Sequence, residues 1–344
     1  MIKKYSSIYY LLFFALLFSS CDNGQKNRVT KTPVVRFDQL LIQLDTNNIR
    51  EAYQHLSQAH PRFVDIYFSE VLPIPGYEEQ NDTFFDQLNG FIKDEKILAL
   101  YDLIQEEYRD MDDILLDMGI AFSEAKKWFP DMDAPRIYTF LSEFAYQRFI
   151  FEDEGKDGLA IGLDLFLGDR FDYSLLESGT NTFSNYLTRT YDKEHLLKKT
   201  MEAWLDDKLG NVKGDRLVDH MIHNGTKLHL LNHILNVEDT IITEYKKEQS
   251  EWVLTNVEEM WAFYIENNWF YTTEDYVIKR LTFPAPNATA LGLPEAAPGQ
   301  TANYLGWKIV ESYLRRYPET TIDDLLKQDA QKTLELSKFK PKNK

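Results

Sequence analysis

The spacing of hydrophobic residues along the chain changes character twice. From 62 to 129, apolar positions recur every three or four residues, as at Phe84 and Leu88, which predicts a series of amphipathic helices. Short runs rich in β-branched and aromatic residues follow, and these predict strands. Beyond Gly168 the helical spacing returns. The pattern predicts a mostly helical protein of the α+β class with a small antiparallel β-sheet, built from 135–141, 146–151 and 158–164.

The second helical region holds the longest apolar segments. One strong helix is predicted from 249 to 267, where tryptophan, tyrosine and phenylalanine side chains are frequent and are typical of a packed core. Another is predicted from 304 to 314, where Gly306 allows close contact with a neighbouring helix. Two shorter helices, 215–225 and 227–235, are predicted to be hinged at Gly225.

Four of the seven histidines fall on these two shorter helices, so a metal site is tested there first. His220 and His223 are three residues apart and His229 and His233 are four apart, so each pair can share a helical face. On one continuous helix the pairs would diverge, at roughly 0° and 300° against roughly 180° and 220°. No histidine is followed by glutamate, so the His-Glu-x-x-His motif is absent. We therefore predict that the protein binds no metal and no cofactor. Under the alternative hypothesis of a metal site, His220, His223, His229 and His233 are the candidate ligands.

The N-terminus has the pattern of a bacterial lipoprotein signal. Two lysines precede an apolar run, and small residues stand directly before Cys21, the only cysteine of the chain. Residues 1–20 are therefore predicted to be a signal peptide, and Cys21 is predicted to carry the lipid. The polar, aperiodic segment 21–33 is predicted to be a lipid-anchored tether. The remainder, 34–344, shows no internal linker and is predicted to form a single globular domain.

Charge restricts the classes of partner that the chain can bind. It carries 38 basic and 55 acidic residues, a net charge of −17. Removal of the signal peptide takes away Lys3 and Lys4 and no acid, which brings the mature charge to −19. Such a protein repels nucleic acid and is held at a membrane through its lipid. A short basic tail, 337–344, is the local exception, and it is predicted to be a solvated terminus.

Other catalytic signatures are absent from the sequence. It contains no Gly-x-Ser-x-Gly elbow and no phosphate-binding glycine motif, and adjacent acids such as Glu258 and Glu259 point to different helical faces. An irregular segment, 283–299, is rich in proline, alanine and glycine, and with Asp164 it is a place to look for a small-molecule or peptide pocket. The residues leave three alternatives: an interaction protein, a divergent zinc-dependent metallohydrolase of the envelope, and a ligand-binding protein.

Six segments of the chain carry a family resemblance: 161–168, 221–228, 260–267, 298–299, 305–310 and the terminal 337–341. In this order they resemble the gliding-motility lipoprotein family GldB of the Bacteroidetes. Together with the lipoprotein signal, they span essentially the whole mature chain. His223 and His229 stand where the family is expected to carry tyrosine.

The resemblance implies a membrane-anchored component required for gliding and associated with type IX protein secretion. It places the protein in the cell envelope facing the periplasm, with other gliding and secretion proteins as partners, and it implies no demonstrated catalyst. The order of elements also resembles zinc proteases of the gluzincin kind, which implies a degenerate, zincin-like helical domain without metal ligands. Asp164, Lys227 and Trp307, which lie in the resembling blocks, are the candidates for an interaction surface.

Overall fold

The computed structural model describes residues 31–176, 179 and 182–342. The predicted signal peptide and Cys21 lie outside these residues, as does the tether up to residue 30. Helices dominate the described chain, and the predicted mostly helical α+β class is confirmed. None of the helices in these ranges is both long enough and apolar enough to cross a membrane.

The N-terminal region is a short strand followed by a layer of helices. Asn81 and Asp94 begin two of these helices, because their side chains accept hydrogen bonds from backbone N–H groups of the first turn. Asp112 and Asp113 begin another, where the helix dipole favours negative charge. The elements are β1 (Val34–Arg36), α1 (Phe37–Ile42), α2 (Ile49–Ala59), α3 (Pro61–Ile66) with a π-helical turn (Tyr67–Val71), α4 (Asp82–Lys93), α5 (Glu95–Tyr108) and α6 (Asp112–Ala125).

A mixed β-sheet follows, formed by β1 together with β2 (Arg136–Phe140), β3 (Arg148–Asp153) and β4 (Lys156–Gly162). The strand order is β1-β2-β4-β3; β1 and β4 both run parallel to β2, and the β3–β4 hairpin is antiparallel. The wholly antiparallel arrangement expected from the sequence is thus corrected. Strands β2 and β3 are neighbours along the chain but not in the sheet, where β4 lies between them.

The sheet separates two hydrophobic cores. Successive side chains of a strand point to opposite faces, so Ile137 and Leu159 enter the larger core while Tyr138 and Phe140 enter the smaller one. The smaller core lies under the N-terminal helices and is rich in aromatic rings; Phe63 stacks on Tyr138 with 4.6 Å between ring centroids. The larger core lies under α5, α6 and the helices that follow the sheet.

Beyond the sheet the chain is almost wholly helical. The helix predicted from 249 to 267 is divided in two, because the backbone of Asn256 leaves the helical region (φ −126°, ψ 23°). The helices are α7 (Asn185–Thr188), α8 (Lys193–Leu209), α9 (Leu217–Ile234), α10 (Asp239–Thr243), α11 (Lys247–Thr255), α12 (Val257–Glu266), α13 (Asp275–Thr282), α14 (Thr301–Arg316), α15 (Ile322–Lys327) and α16 (Ala330–Ser337). Short 3₁₀ turns occupy Leu163–Phe166, Gly168–Arg170, Tyr173–Leu176, Trp269–Tyr271 and Thr289–Leu291.

Helices α9 and α14 cross in direct backbone contact at Gly225 and Gly306. A Cβ atom built on Gly225 would lie 2.5 Å from the carbonyl oxygen of Gly306, and one built on Gly306 would lie 2.6 Å from the carbonyl carbon of Met221. The predicted hinge at Gly225 is corrected, since α9 is one continuous helix through this residue. The missing side chain serves the helix crossing and does not bend the chain. The predicted close helix contact at Gly306 is observed.

Candidate functional site

The four clustered histidines lie on α9 but border different cavities. His229 and His233 have ring centroids 4.1 Å apart and line a cavity of about 400 Å³ with Trp128, whose ring meets both edge-on. His223 lines a separate, small cavity near Asp219. Among the residues that the structure describes, no group of three or more His, Cys, Asp or Glu side chains is arranged to hold a metal ion.

Burial lowers the pKa of three of these histidines, His220, His223 and His229. The pKa of His229 is lowered to about 3, first by burial and then by the positive charges of His233 and Lys308. His233 donates a hydrogen bond from Nδ1 to the carbonyl oxygen of His229 at 2.8 Å, since a carbonyl can only accept. Burial also lowers the pKa of His220 and of His223. His229 therefore packs as a neutral ring against Trp128 and His233.

Asp164 is fully buried and organises the loop that follows β2. Its carboxylate accepts hydrogen bonds from the backbone N–H and hydroxyl of Ser142 and from the backbone N–H of Phe144, the last at 2.6 Å. Glu143 and Phe144 both have positive φ, at 53° and 65°, so the carboxylate stabilises a backbone conformation that these residues rarely adopt. Burial raises the pKa of Asp164 to about 6. Its expected place on an interaction surface is corrected, because no part of the side chain is exposed.

Trp307 is also interior. Only 1% of its surface is exposed, and its indole lies beneath Lys308, whose Nζ is 3.9 Å from a ring centroid. The expected surface role of Trp307 is therefore corrected as well, because the side chain next to the Gly306 crossing is enclosed by the larger core. Lys308, which is partly exposed, covers the Trp307 ring instead.

Lys227 joins a partly buried network of charges between α8 and α9. Its Nζ lies 2.8 Å from Asp206 and 3.7 Å from Glu202. Glu202 also pairs with Arg148 of β3 and with Lys198 at 3.0 and 3.1 Å. Burial alone would raise the pKa of Glu202, but the surrounding positive charges lower it well below the usual range. Lys227 thus links α9 to α8, and its side chain remains partly accessible.

A groove of about 780 Å³ runs along one face of α14 and is larger than the two cavities beside the histidines of α9. The helix contributes residues at the spacing of a single helical face, from Tyr304 through Lys308 and Ser312 to Arg316. We name it the basic groove. Its lining is Leu254, Val257, Tyr304, Lys308, Glu311, Ser312, Arg315, Arg316, Lys338, Phe339, Lys340 and Lys342.

The C-terminal tail is a wall of the basic groove. The carbonyl oxygen of Ser337 accepts hydrogen bonds from Ser312 and Arg316 of α14 at 2.9 and 2.8 Å. Phe339 then packs edge-on against Trp261 of α12, with 5.3 Å between ring centroids. The tail therefore bridges α14 and α12. The sequence predicted a solvated terminus here; the charge was visible, but the docking depends on partners more than 20 residues away.

Charge distinguishes the basic groove from the rest of the molecule. Six of its lining residues are basic and one, Glu311, is acidic. Lys308 pairs with Glu311 at 3.2 Å. Within the described ranges no carboxylate forms an ion pair with the other five, which are Arg315, Arg316, Lys338, Lys340 and Lys342. The basic groove is thus a cationic concavity on a chain whose net charge is −17.

Comparison with known sequences decides the family. Residues 22–341 match the family described as gliding motility protein GldB. The chain belongs to the GldB family. No curated protein and no solved structure matches it significantly. The likeness of this GldB-family fold to zinc proteases therefore stays a prediction.

The blocks that carry the GldB resemblance meet in space. Blocks 221–228 and 305–310 contain the two glycines of the α9–α14 crossing. Block 260–267 lies on α12 and supplies Trp261, against which Phe339 of the terminal block packs. In this GldB-family protein, these blocks thus contribute residues to the helix crossing and to the basic groove beside it.

Proposed function

We propose that this protein is a lipid-anchored, periplasm-facing component of the gliding motility and type IX secretion apparatus, and that it works by binding other envelope proteins without catalysing a reaction. The observation that carries the proposal is the GldB-family match over residues 22–341. That match begins directly after Cys21, the residue at which a lipid anchor would replace the signal peptide.

The geometry supports a binding role for two reasons. The chemical candidates that the sequence offered are used within the fold: Asp164 holds a loop, Trp307 fills the core, and His229 packs as a neutral ring. The basic groove, by contrast, presents charged side chains that have no ion-pair partner within the described residues. Unpaired charges in a concavity are available to a partner of opposite charge.

Deletion of the gene in its native host tests the proposal. We expect the deletion strain to lose colony spreading and single-cell gliding, and to retain secreted proteins inside the envelope. Complementation with the wild-type gene should restore both. A deletion strain that glides and secretes like its parent would overturn the proposal.

Crosslinking followed by purification from native membranes tests the binding role directly. We expect crosslinked partners from the motility and secretion apparatus. Partners confined to other envelope processes would contradict the assignment. The same preparation measures the membrane attachment, since a lipid-anchored protein remains in the membrane fraction after a high-salt wash.

A further inference from the structure

The basic groove combines an apolar floor with cationic walls. Leu254, Val257, Tyr304 and Phe339 supply the apolar surface. Five cations, which have no ion-pair partner among the residues that the structure describes, occupy exposed positions of α14 and the tail. A ligand that fills this groove must offer both apolar side chains and negative charge, because either kind alone leaves half of the lining unsatisfied.

The distribution of charge favours an extended ligand over a single anion. The cations are spread from Arg315 and Arg316 at the end of α14 to Lys338, Lys340 and Lys342 along the tail. All five are exposed, so no enclosed set of converging donors exists for one phosphate. Arginine forks bind carboxylates bidentately, and lysines bind them as point charges. Several separate carboxylates suit this arrangement better than one compact anion.

The shape favours a peptide over a membrane surface. A flat bilayer meets protruding residues, whereas Val257 and Tyr304 of the groove floor are buried and the cations around them are exposed. In an extended peptide, successive side chains point to opposite sides. A segment in which acidic and apolar residues alternate would place its apolar side chains on the floor and its carboxylates toward the rim.

We infer that the basic groove is a docking site for an extended, acidic segment of a partner protein, in which carboxylates alternate with apolar residues. The inference rests on the proposed function as an interaction protein and names the chemistry of its partner. The overall charge of −17 repels acidic proteins from the remaining surface, so the groove also sets the orientation of binding.

Fluorescence anisotropy with the purified full chain tests the site. The probe is a fluorescein-labelled peptide in which four glutamates alternate with three leucines, and the matched control peptide carries glutamine for each glutamate. We expect saturable binding of the acidic peptide, weakened by salt, and none of the glutamine peptide. Equal binding of both peptides, or no binding of either, would overturn the inference.

Two charge variants locate the binding. The triple substitution Arg315→Gln/Lys340→Gln/Lys342→Gln removes three exposed groove cations and leaves Arg316, which holds the tail, in place. We expect the Kd for the acidic peptide to rise at least tenfold. The matched control Lys96→Gln/Lys126→Gln/Lys156→Gln removes three exposed lysines that do not line the groove, and it should change the Kd less than twofold. Equal weakening by both triples would mean generic charge attraction and would refute the site. Circular dichroism checks that both fold.

Competition separates the peptide from other anions. Inorganic phosphate and phosphatidylglycerol vesicles, at matched charge concentration, should displace less than a tenth of the bound peptide. Complete displacement by phosphate would assign the site to a small anion, and complete displacement by vesicles would assign it to lipid; either result overturns the inference.

Replacement of the chromosomal gene distinguishes the two proposals. If deletion stops gliding but the groove triple variant glides normally, the docking inference fails and the proposed function stands. If deletion leaves gliding intact, the proposed function fails whether or not the acidic peptide binds. We expect both strains to lose gliding, with the triple variant present at wild-type level in the membrane.

Discussion

Asp164 is a carboxylate whose surroundings the sequence could not indicate. On the chain it ends the predicted strand 158–164, two residues after a glycine, which is compatible with a surface turn. In the fold it is enclosed and receives hydrogen bonds from Ser142 and Phe144, 22 and 20 residues earlier. Burial favours the neutral acid while these donors favour the carboxylate, and burial is the stronger effect, so the pKa is raised to about 6.

This raised pKa makes the stability contribution of Asp164 depend on pH. The folded protein binds the proton more tightly than the unfolded chain, so the stabilisation is complete below pH about 3.8 and is lost as pH rises through about 6. We expect the free energy of unfolding of the wild type, relative to Asp164→Asn, to increase by about 1 kcal/mol when pH falls from 7.5 to 5. Urea denaturation at both values measures it. A difference that does not change with pH would contradict the assignment.

His229 gives the opposite pH dependence. Its folded-state pKa is about 3, below the ordinary value of 6.5, so the unfolded chain binds the proton more tightly. The stabilisation is present above pH about 6.5 and is lost as pH falls toward 3. Between pH 7.5 and 5 we expect the wild type to lose about 2 kcal/mol relative to His229→Phe, which retains a ring beside Trp128 but cannot titrate. The same denaturation series tests this. Parallel curves for the two proteins would show that His229 is not held neutral.

At the scale of elements, helices α9 and α14 cross in direct backbone contact. Two glycines, Gly225 and Gly306, permit this contact, and the sequence predicts the role of Gly306. It lies within an apolar helix, where a glycine lowers helix stability by about 1 kcal/mol and is therefore expected only where packing requires it. For Gly225 the sequence predicts a hinge, since glycine is compatible both with a break in a helix and with a close helix crossing. Only the position of Gly306 in space distinguishes these two roles.

Substitution at the crossing should be costly. Gly306→Ala forces the Cβ atom into the backbone of Met221, so one helix must shift, and we expect a loss of about 3 kcal/mol in the free energy of unfolding. Gly90→Ala is the matched control, because Gly90 lies within α4 and no other group lies within 4 Å of a Cβ built there. It should be stabilised by up to about 1 kcal/mol. Thermal denaturation of both variants decides the point; a Gly306→Ala protein as stable as the wild type would refute the close crossing.

At the scale of the whole molecule, the proposed lipid anchor at Cys21 would hold the basic groove close to a membrane surface. We predict that Cys21→Ser abolishes lipid attachment and releases the protein from the membrane fraction, because no other residue can form the thioether. Metabolic labelling with a palmitate analogue and cell fractionation measure this. The control is Ser20→Ala, which retains a small residue before the cysteine. Continued labelling of the Cys21→Ser protein would contradict the lipoprotein assignment.

The sequence by itself determined what depends on local pattern. Helical periodicity gave the mostly helical class, and ordered blocks of sequence pointed to the GldB family. Each of these signals depends on residues close together along the chain, whose spacing is fixed by covalent geometry.

Only the tertiary structure decided which residues meet. It placed β4 between β2 and β3, joined Gly225 to Gly306, buried Asp164 and Trp307, and laid the tail against α14 to form the basic groove. These outcomes depend on contacts between residues distant in sequence, which form because apolar faces must be buried against one another. Periodicity shows that a face is apolar; it does not show which other face will cover it.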